Sequence, residues 1–163
     1  MYVPEKRVRE DRRLVSFVHW HSQQLASVKH KIRSLLLGAR LKCPAADVMS
    51  IKGQAWLERE ALSQMAAQEC MLLRMLLNQA RQLTAQRKEL DEDVRQRVPR
   101  YKQAEVVESI PGFGPLVSLA VLSAVAEITR FRQPGQLASY FGTCGSVHQS
   151  GESLRLGALT KRG

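Results

Sequence analysis

The chain has 163 residues, 44% of them hydrophobic, 25% charged and only 6% aromatic, with a formal net charge of +10. This length holds one ordinary domain, or a small domain on a helical arm, and excludes several independent cores. The basic balance argues for an acidic polymer as partner, because each Lys or Arg set against a phosphate releases a condensed counterion.

Cys43, Cys70 and Cys144 are far apart and odd in number, which speaks against a disulfide framework or a Cys-x-x-Cys zinc site and suits a reducing compartment. No stretch approaches the roughly 18 uninterrupted apolar residues of a membrane span. Met1–Arg13 is too charged for a secretory signal. The protein is therefore expected to be soluble and cytoplasmic, with no membrane partner. Long segments rich in Leu, Ala, Gln, Arg and Glu predict a mainly α fold: a basic coiled-coil arm over 1–99 and a small domain over 100–163 with a loop-rich end.

From Glu5 to Leu37, Val8, Val15, Val18, Leu25, Val28, Ile32, Leu35 and Leu36 recur at helical spacing, which predicts one long amphipathic helix between Pro4 and Gly38. Residues 1–42 hold ten Lys/Arg against three Asp/Glu, a surplus of seven. Arg9, Arg12, Arg13, Lys29, Lys31 and Arg33 are the candidate nucleic-acid contacts on this arm. A solvated helix face is the alternative, and charge alone does not separate DNA from RNA.

Gly38, Pro44, Asp47 and Gly53 predict a loop over 38–54. A second helical region is expected from Ala55 to Val98, where Leu73, Leu76, Ala80, Leu83, Leu90 and Val94 form a heptad stripe with Arg87 as the polar intruder. The stripe serves either a partner helix in a homo-oligomer or the first helix of the same chain.

After Pro99 the run Val106–Ile128 is apolar and is interrupted by Pro111-Gly112-Phe113-Gly114-Pro115. Gly112 and Gly114 suit a tight turn, and the N–H groups of the helix that follows can receive a phosphate oxygen. The pattern resembles the hairpin of helix-hairpin-helix DNA-binding modules; a plain helical connection is the other reading.

Taken in order, Ile-Pro-Gly-Phe-Gly-Pro, a helix ending Ala-Glu-Ile, Phe131, Gln-Leu-Ala-Ser-Tyr-Phe-Gly, Gln149-Ser150-Gly151 and Leu-Thr-Lys-Arg-Gly resemble the C-terminal domain of the insertion-sequence 110/116/902 transposases. The basic helix is also similar to a segment of that family. The resemblance covers nearly the whole chain and is strongest from Ile110 onward.

The resemblance implies recombinases with a RuvC-like domain whose Asp, Glu, Asp, Asp set binds Mg2+, a coiled coil for assembly, and a structured guide RNA. It implies that Ser150 is the DNA-attacking nucleophile, with Gly151 admitting the DNA backbone and Lys161 and Arg162 binding phosphates. Attack by a serine hydroxyl on a phosphodiester gives a phosphoserine link that keeps the bond energy for rejoining. Ser146 and Ser153 compete for that role within the segment, and His148 and Cys144 lie close by. DNA is the expected partner, with guide RNA as a second.

Gly142-Thr143-Cys144-Gly145 stands where the family usually has Gly-Leu-x-Pro, removing a proline that would stiffen the segment. Glu58, Glu60, Glu69, Asp91, Glu92 and Asp93 read as surface helix residues, so this chain is expected to bind no metal itself, the Mg2+ site belonging to an acidic domain that the chain lacks. A chain truncated at both ends and inactive by itself is the expectation. A noncatalytic DNA- or RNA-binding and oligomerisation protein, or a helical adaptor, are the competing readings.

Overall fold

A computed structural model of the protein describes residues 3–143 throughout and the backbone of 145–150 and 153–159. The fold is mainly α. In chain order it comprises α1 (Lys6–Gly38), α2 (Ile51–Trp56), a π-helical turn (Leu57–Ala61), α3 (Leu62–Gln64), α4 (Ala67–Arg97), a 3-10 turn (Val98–Arg100), α5 (Ala104–Glu108) and α6 (Pro115–Val125). A second 3-10 turn (Ile128–Arg130), α7 (Pro134–Tyr140), β1 (Gly145–Ser150) and β2 (Ser153–Leu159) complete it. The chain forms two compact units, Met1–Ala124 and Val125–Gly163.

In the first unit α1 and α4 pack as a long helical pair. Val8, Val18, Val28, Ile32 and Leu36 are buried along α1, and Leu73, Leu77, Ala80 and Val94 along α4. Each fully buried aliphatic side chain contributes about 1.5–3 kcal/mol. Val48, Leu57 and Ala61 close the core where the chain turns back between the two helices.

The second helical region begins earlier than its sequence suggests and is not continuous. Ser50 caps α2, its Oγ accepting from the Gly53 N–H. Helix then stops at Met65 and Ala66, both extended at ψ near 150°, and α4 restarts with the Glu69 carboxylate accepting from the Ala66 N–H. Gly53 explains the tight turn-back: a Cβ there would stand 2.6 Å from the Asp47 carbonyl oxygen.

The heptad stripe is an internal seam. Leu73 and Ala80 are fully buried, Val94 is 1% exposed, and Leu76 and Leu83 pack against the same core. The stripe meets α1 of its own chain because the turn at 39–50 is long enough to bring α4 back antiparallel. Arg87 is not a defect in that seam: its guanidinium binds Asp91 on α4 and donates to the Ser22 hydroxyl on α1.

The break in composition at Pro99 is not where the compact units part. Tyr101 and Ala104 are buried, the Tyr101 hydroxyl donates to Asp11, and Arg12 donates to the carbonyls of Ser123 and Ala124. These contacts fold residues up to 124 onto the first turns of α1, so the helical pair and α5–α6 form one body.

In the second unit the Phe131 and Tyr140 rings lie 5.5 Å apart, with the Arg130 guanidinium over both. The loop-rich end contains an antiparallel β-hairpin, with Ser150 paired to Ser153, Val147 to Leu156, and a register shift between Gly145 and Val147. Leu154 and Leu156 in β2 recur at the two-residue spacing that strands use.

Candidate nucleic-acid interface and serine segment

The six basic candidates on α1 separate into two groups. Arg12, Lys29 and Arg33 are engaged within the chain: Arg12 holds the last carbonyls of α6 at 2.8 and 3.0 Å, Lys29 pairs with Asp47 at 2.7 Å, and Arg33 donates to the Ala46 carbonyl. Within the chain these three side chains act as ties between segments. Each donor has been drawn to a helix C-terminus or an acidic turn of its own fold. Lys29 also holds the Asp47 carboxyl below its ordinary value, first through their hydrogen bond and then with help from the Met49 N–H.

Arg9, Arg13 and Lys31 are exposed and, among the described residues, have no side-chain partner. At 100° per residue they fall on one side of α1, away from most of the buried stripe, and Lys31 there also lines a cleft with Glu69 and Leu72 of α4. Trp20 stands on the same side and Phe17 at its edge, 50% and 49% exposed. Their ring centroids are 5.3 Å apart and the planes 37° from parallel. The apolar spacing that marks the core passes over this pair, so sequence reasoning missed it; two large rings off the core stripe of a basic helix were the available signal.

Two polar residues occupy the buried stripe. Asp11 is fully buried and accepts from the Tyr101 hydroxyl at 2.6 Å and from Arg97 Nη1 at 2.9 Å. His21 is 2% exposed, with Nε2 against the Gln86 side-chain oxygen at 3.3 Å. Both serve to join α1 and α4.

Between α5 and α6 the chain makes the expected hairpin, but one glycine carries it. Gly112 adopts φ +88°, whereas Gly114 is not in the left-handed region and an added Cβ there would meet nothing within 4 Å. The turn is closed by the Phe113 N–H on the Ile110 carbonyl. Gly114 and the first residues of α6, Pro115 to Val117, line a cleft of about 260 Å³ with Arg87, Asp91, Val94 and Arg95 of α4. Two guanidinium groups beside a helix N-terminus favour an anion, and Asp91 offsets part of that charge.

Ser150 is the last residue of β1, and the backbone pairs it with Ser153. Ser146 and His148 lie in the same strand. The side chain of Ser150 and the whole of Gly151, Lys161 and Arg162 lie outside the described residues, as does Cys144.

Among the described residues no three His, Cys, Asp or Glu side chains come together as a metal site. Glu58 pairs with Arg81, Asp91 with Arg87, Glu92 with Arg95 and Asp93 with Arg97. These carboxylates are spread along α4 and the π-helical turn and do not fit a shared Mg2+. No described helix is long and apolar enough to cross a membrane.

Fold and surfaces together define a mainly α chain with a basic outer face, a glycine-turned hairpin and a β-hairpin whose first strand ends in serine. Residues 104–163 match the Transposase IS116/IS110/IS902 family. The chain is similar to a probable family 20 transposase of Pseudomonas aeruginosa, 26% identical over 86% of this chain and 46% of the relative. The transposase for insertion sequence element IS1111A of Coxiella burnetii is 39% identical over 35% of this chain and 16% of the relative. The insertion element IS116 uncharacterized 44.8 kDa protein of Streptomyces clavuligerus is 30% identical over 39% and 16%. The chain thus spans less than half the length of these relatives. No solved structure matches.

Proposed function

We propose that this chain acts in DNA transposition or site-specific recombination, contributing the nucleic-acid-binding face and Ser150 as the group that attacks DNA. The match over residues 104–163, which contains Gln149-Ser150-Gly151, carries this reading. A serine at the end of a short strand is held by backbone pairing on one side, which favours a fixed position for a nucleophile. In the step itself the Ser150 Oγ–phosphorus bond forms as the bond to one DNA oxygen breaks, and that oxygen takes up a proton. A base must accept the serine proton, and His148, two residues away, is the candidate nearest in sequence.

In this reading the family's Mg2+ would be held by carboxylates of another polypeptide segment. Gly112, Gly114 and the cleft beside α6 are proposed to hold DNA phosphates, with Gly151, Lys161 and Arg162 near the attacked strand. A guide RNA is a second proposed ligand, and self-association a further one.

The test is covalent capture of DNA by this chain with the family's acidic domain supplied in trans. Ser150→Ala is expected to abolish the protein–DNA adduct while Ser146→Ala and Ser153→Ala retain it. An adduct that survives Ser150→Ala removes Ser150 from the role. The exposed Arg9, Arg13 and Lys31 favour a second reading, in which the chain binds nucleic acid without cutting it. Steeply salt-dependent binding with no adduct under any supplement would select that one.

A further inference from the structure

The outer face of α1 combines three side chains free to meet phosphates with two rings free to meet something flat. Arg9, Arg13, Phe17 and Trp20 succeed one another at spacings of four, four and three, so they form one stripe along the helix. Lys31 continues that face roughly 16 Å beyond Trp20 at 1.5 Å per residue.

Phe17 and Trp20 are each about half exposed. A Trp and a Phe left open in a chain only 6% aromatic give up burial that an inward position would supply. Among the described residues the two rings meet each other and no third aromatic group, apart from the His21 ring 6.4 Å from Phe17. Their remaining faces are open.

Cations flanking open aromatic rings match a nucleic-acid strand whose bases are unpaired, because phosphates meet the cations while each base offers a π-face to stack. In a duplex the base faces are already stacked on one another and do not reach a convex helix surface. A second copy of this chain is a poorer fit: its matching face would bring Arg9, Arg13 and Lys31 against like charges.

Resting on the nucleic-acid-binding reading above, we infer that Phe17 and Trp20 form a stacking platform for unpaired nucleotides, with Arg9 and Arg13 preceding them on the same stripe. The face thereby selects single-stranded or looped nucleic acid over duplex. The shared chemistry is an exposed base on a phosphate backbone, and either DNA or RNA supplies it.

Trp20 is its own reporter. With Trp56→Phe removing the other indole, single-stranded DNA, single-stranded RNA and duplex DNA are each titrated into the full chain at low salt. Binding is followed in parallel by the anisotropy of a label on the oligonucleotide. Single strands are expected to quench Trp20 emission and duplex to leave it nearly unchanged. The paired substitution Phe17→Ala/Trp20→Ala should weaken single-strand binding on the order of tenfold and duplex binding less than about twofold, while Trp20→Phe alone keeps most of the affinity. Circular dichroism establishes that each variant retains its helix.

Anisotropy that reports binding while Trp20 emission stays constant, or a double variant that binds single strands like the parent, overturns the platform and leaves nucleic-acid binding standing. Absence of binding to all three polymers overturns the underlying reading together with the platform. A fall in mass by light scattering on Phe17→Ala/Trp20→Ala, with nucleic-acid affinity unchanged, would make this a self-association face instead and overturns the inference.

Discussion

The Tyr101 hydroxyl donates to the fully buried carboxylate of Asp11 across 2.6 Å, joining the segment after α4 to the second turn of α1. Arg97 reaches the other oxygen of the same carboxylate at 2.9 Å, and its guanidinium is held protonated first by Asp93 and then by Asp11. Asp11→Ala leaves Tyr101 and one side of Arg97 without their acceptor and is expected to destabilise the fold by about 2–4 kcal/mol. Tyr101→Phe should cost about 1–2 kcal/mol. Urea unfolding followed by circular dichroism checks both, and wild-type stability in Asp11→Ala would show that the network is energetically idle.

The same pair has a pH signature. Burial, and next the hydrogen bond to Asp11, push the Tyr101 hydroxyl above its ordinary value. The folded state holds that proton more tightly than the unfolded chain. The contribution is therefore complete below about pH 10 and is lost as pH rises through the folded value. Tyr101→Phe should unfold with a shallower alkaline decline than the parent. At the acid end Asp47 behaves oppositely: its lowered value gives stability present above about pH 4 and lost as the carboxyl protonates.

Three glycines should answer differently to alanine. Gly53→Ala drives a Cβ to 2.6 Å from one backbone oxygen and 2.7 Å from another and is expected to cost about 1–3 kcal/mol. Gly112→Ala forces a side chain onto φ +88°, a strain of about 1–2 kcal/mol. Gly114→Ala enters open space and should stay within about 0.5 kcal/mol of the parent. Thermal melts of the three variants separate them, and equal destabilisation at Gly112 and Gly114 would contradict the turn geometry.

The divided basic face predicts divided phenotypes. Neutralising Arg9, Arg13 or Lys31 should leave the melting temperature nearly unchanged. Each such change should lower the slope of log affinity against log salt by about one for every phosphate that the side chain neutralises. Arg12→Ala should instead destabilise, since it takes a donor away from the carbonyls of Ser123 and Ala124. Affinity titrations over a salt series, set beside melts, distinguish the groups.

Leu73 is fully buried between α4 and α1. Leu73→Ala should cost about 2–5 kcal/mol with no dependence of the unfolding midpoint on protein concentration. A midpoint that shifts with concentration would return the stripe to an intermolecular role.

The long helices and the apolar positions of α1 were legible in the sequence because period-3.6 burial imposes itself on residue order: Val8, Val18, Val28, Ile32 and Leu36 lie inward as their spacing requires. The family resemblance over 104–163 was legible too, because the motifs from Ile110 onward are local and ordered. The partner of the heptad stripe was not: Leu73, Ala80 and Val94 would look the same facing α1 or another chain, and the turn at 39–50 decided it. Nor does sequence distinguish Arg9 from Arg12, three residues apart in one basic run; the difference is that Arg12 meets the end of α6 after the chain has returned to it. Residue order fixes which faces are apolar and how much charge the arm carries. The long-range return of α4, α5 and α6 onto α1 fixes which charges are consumed within the fold and which, with Phe17 and Trp20, remain for a partner.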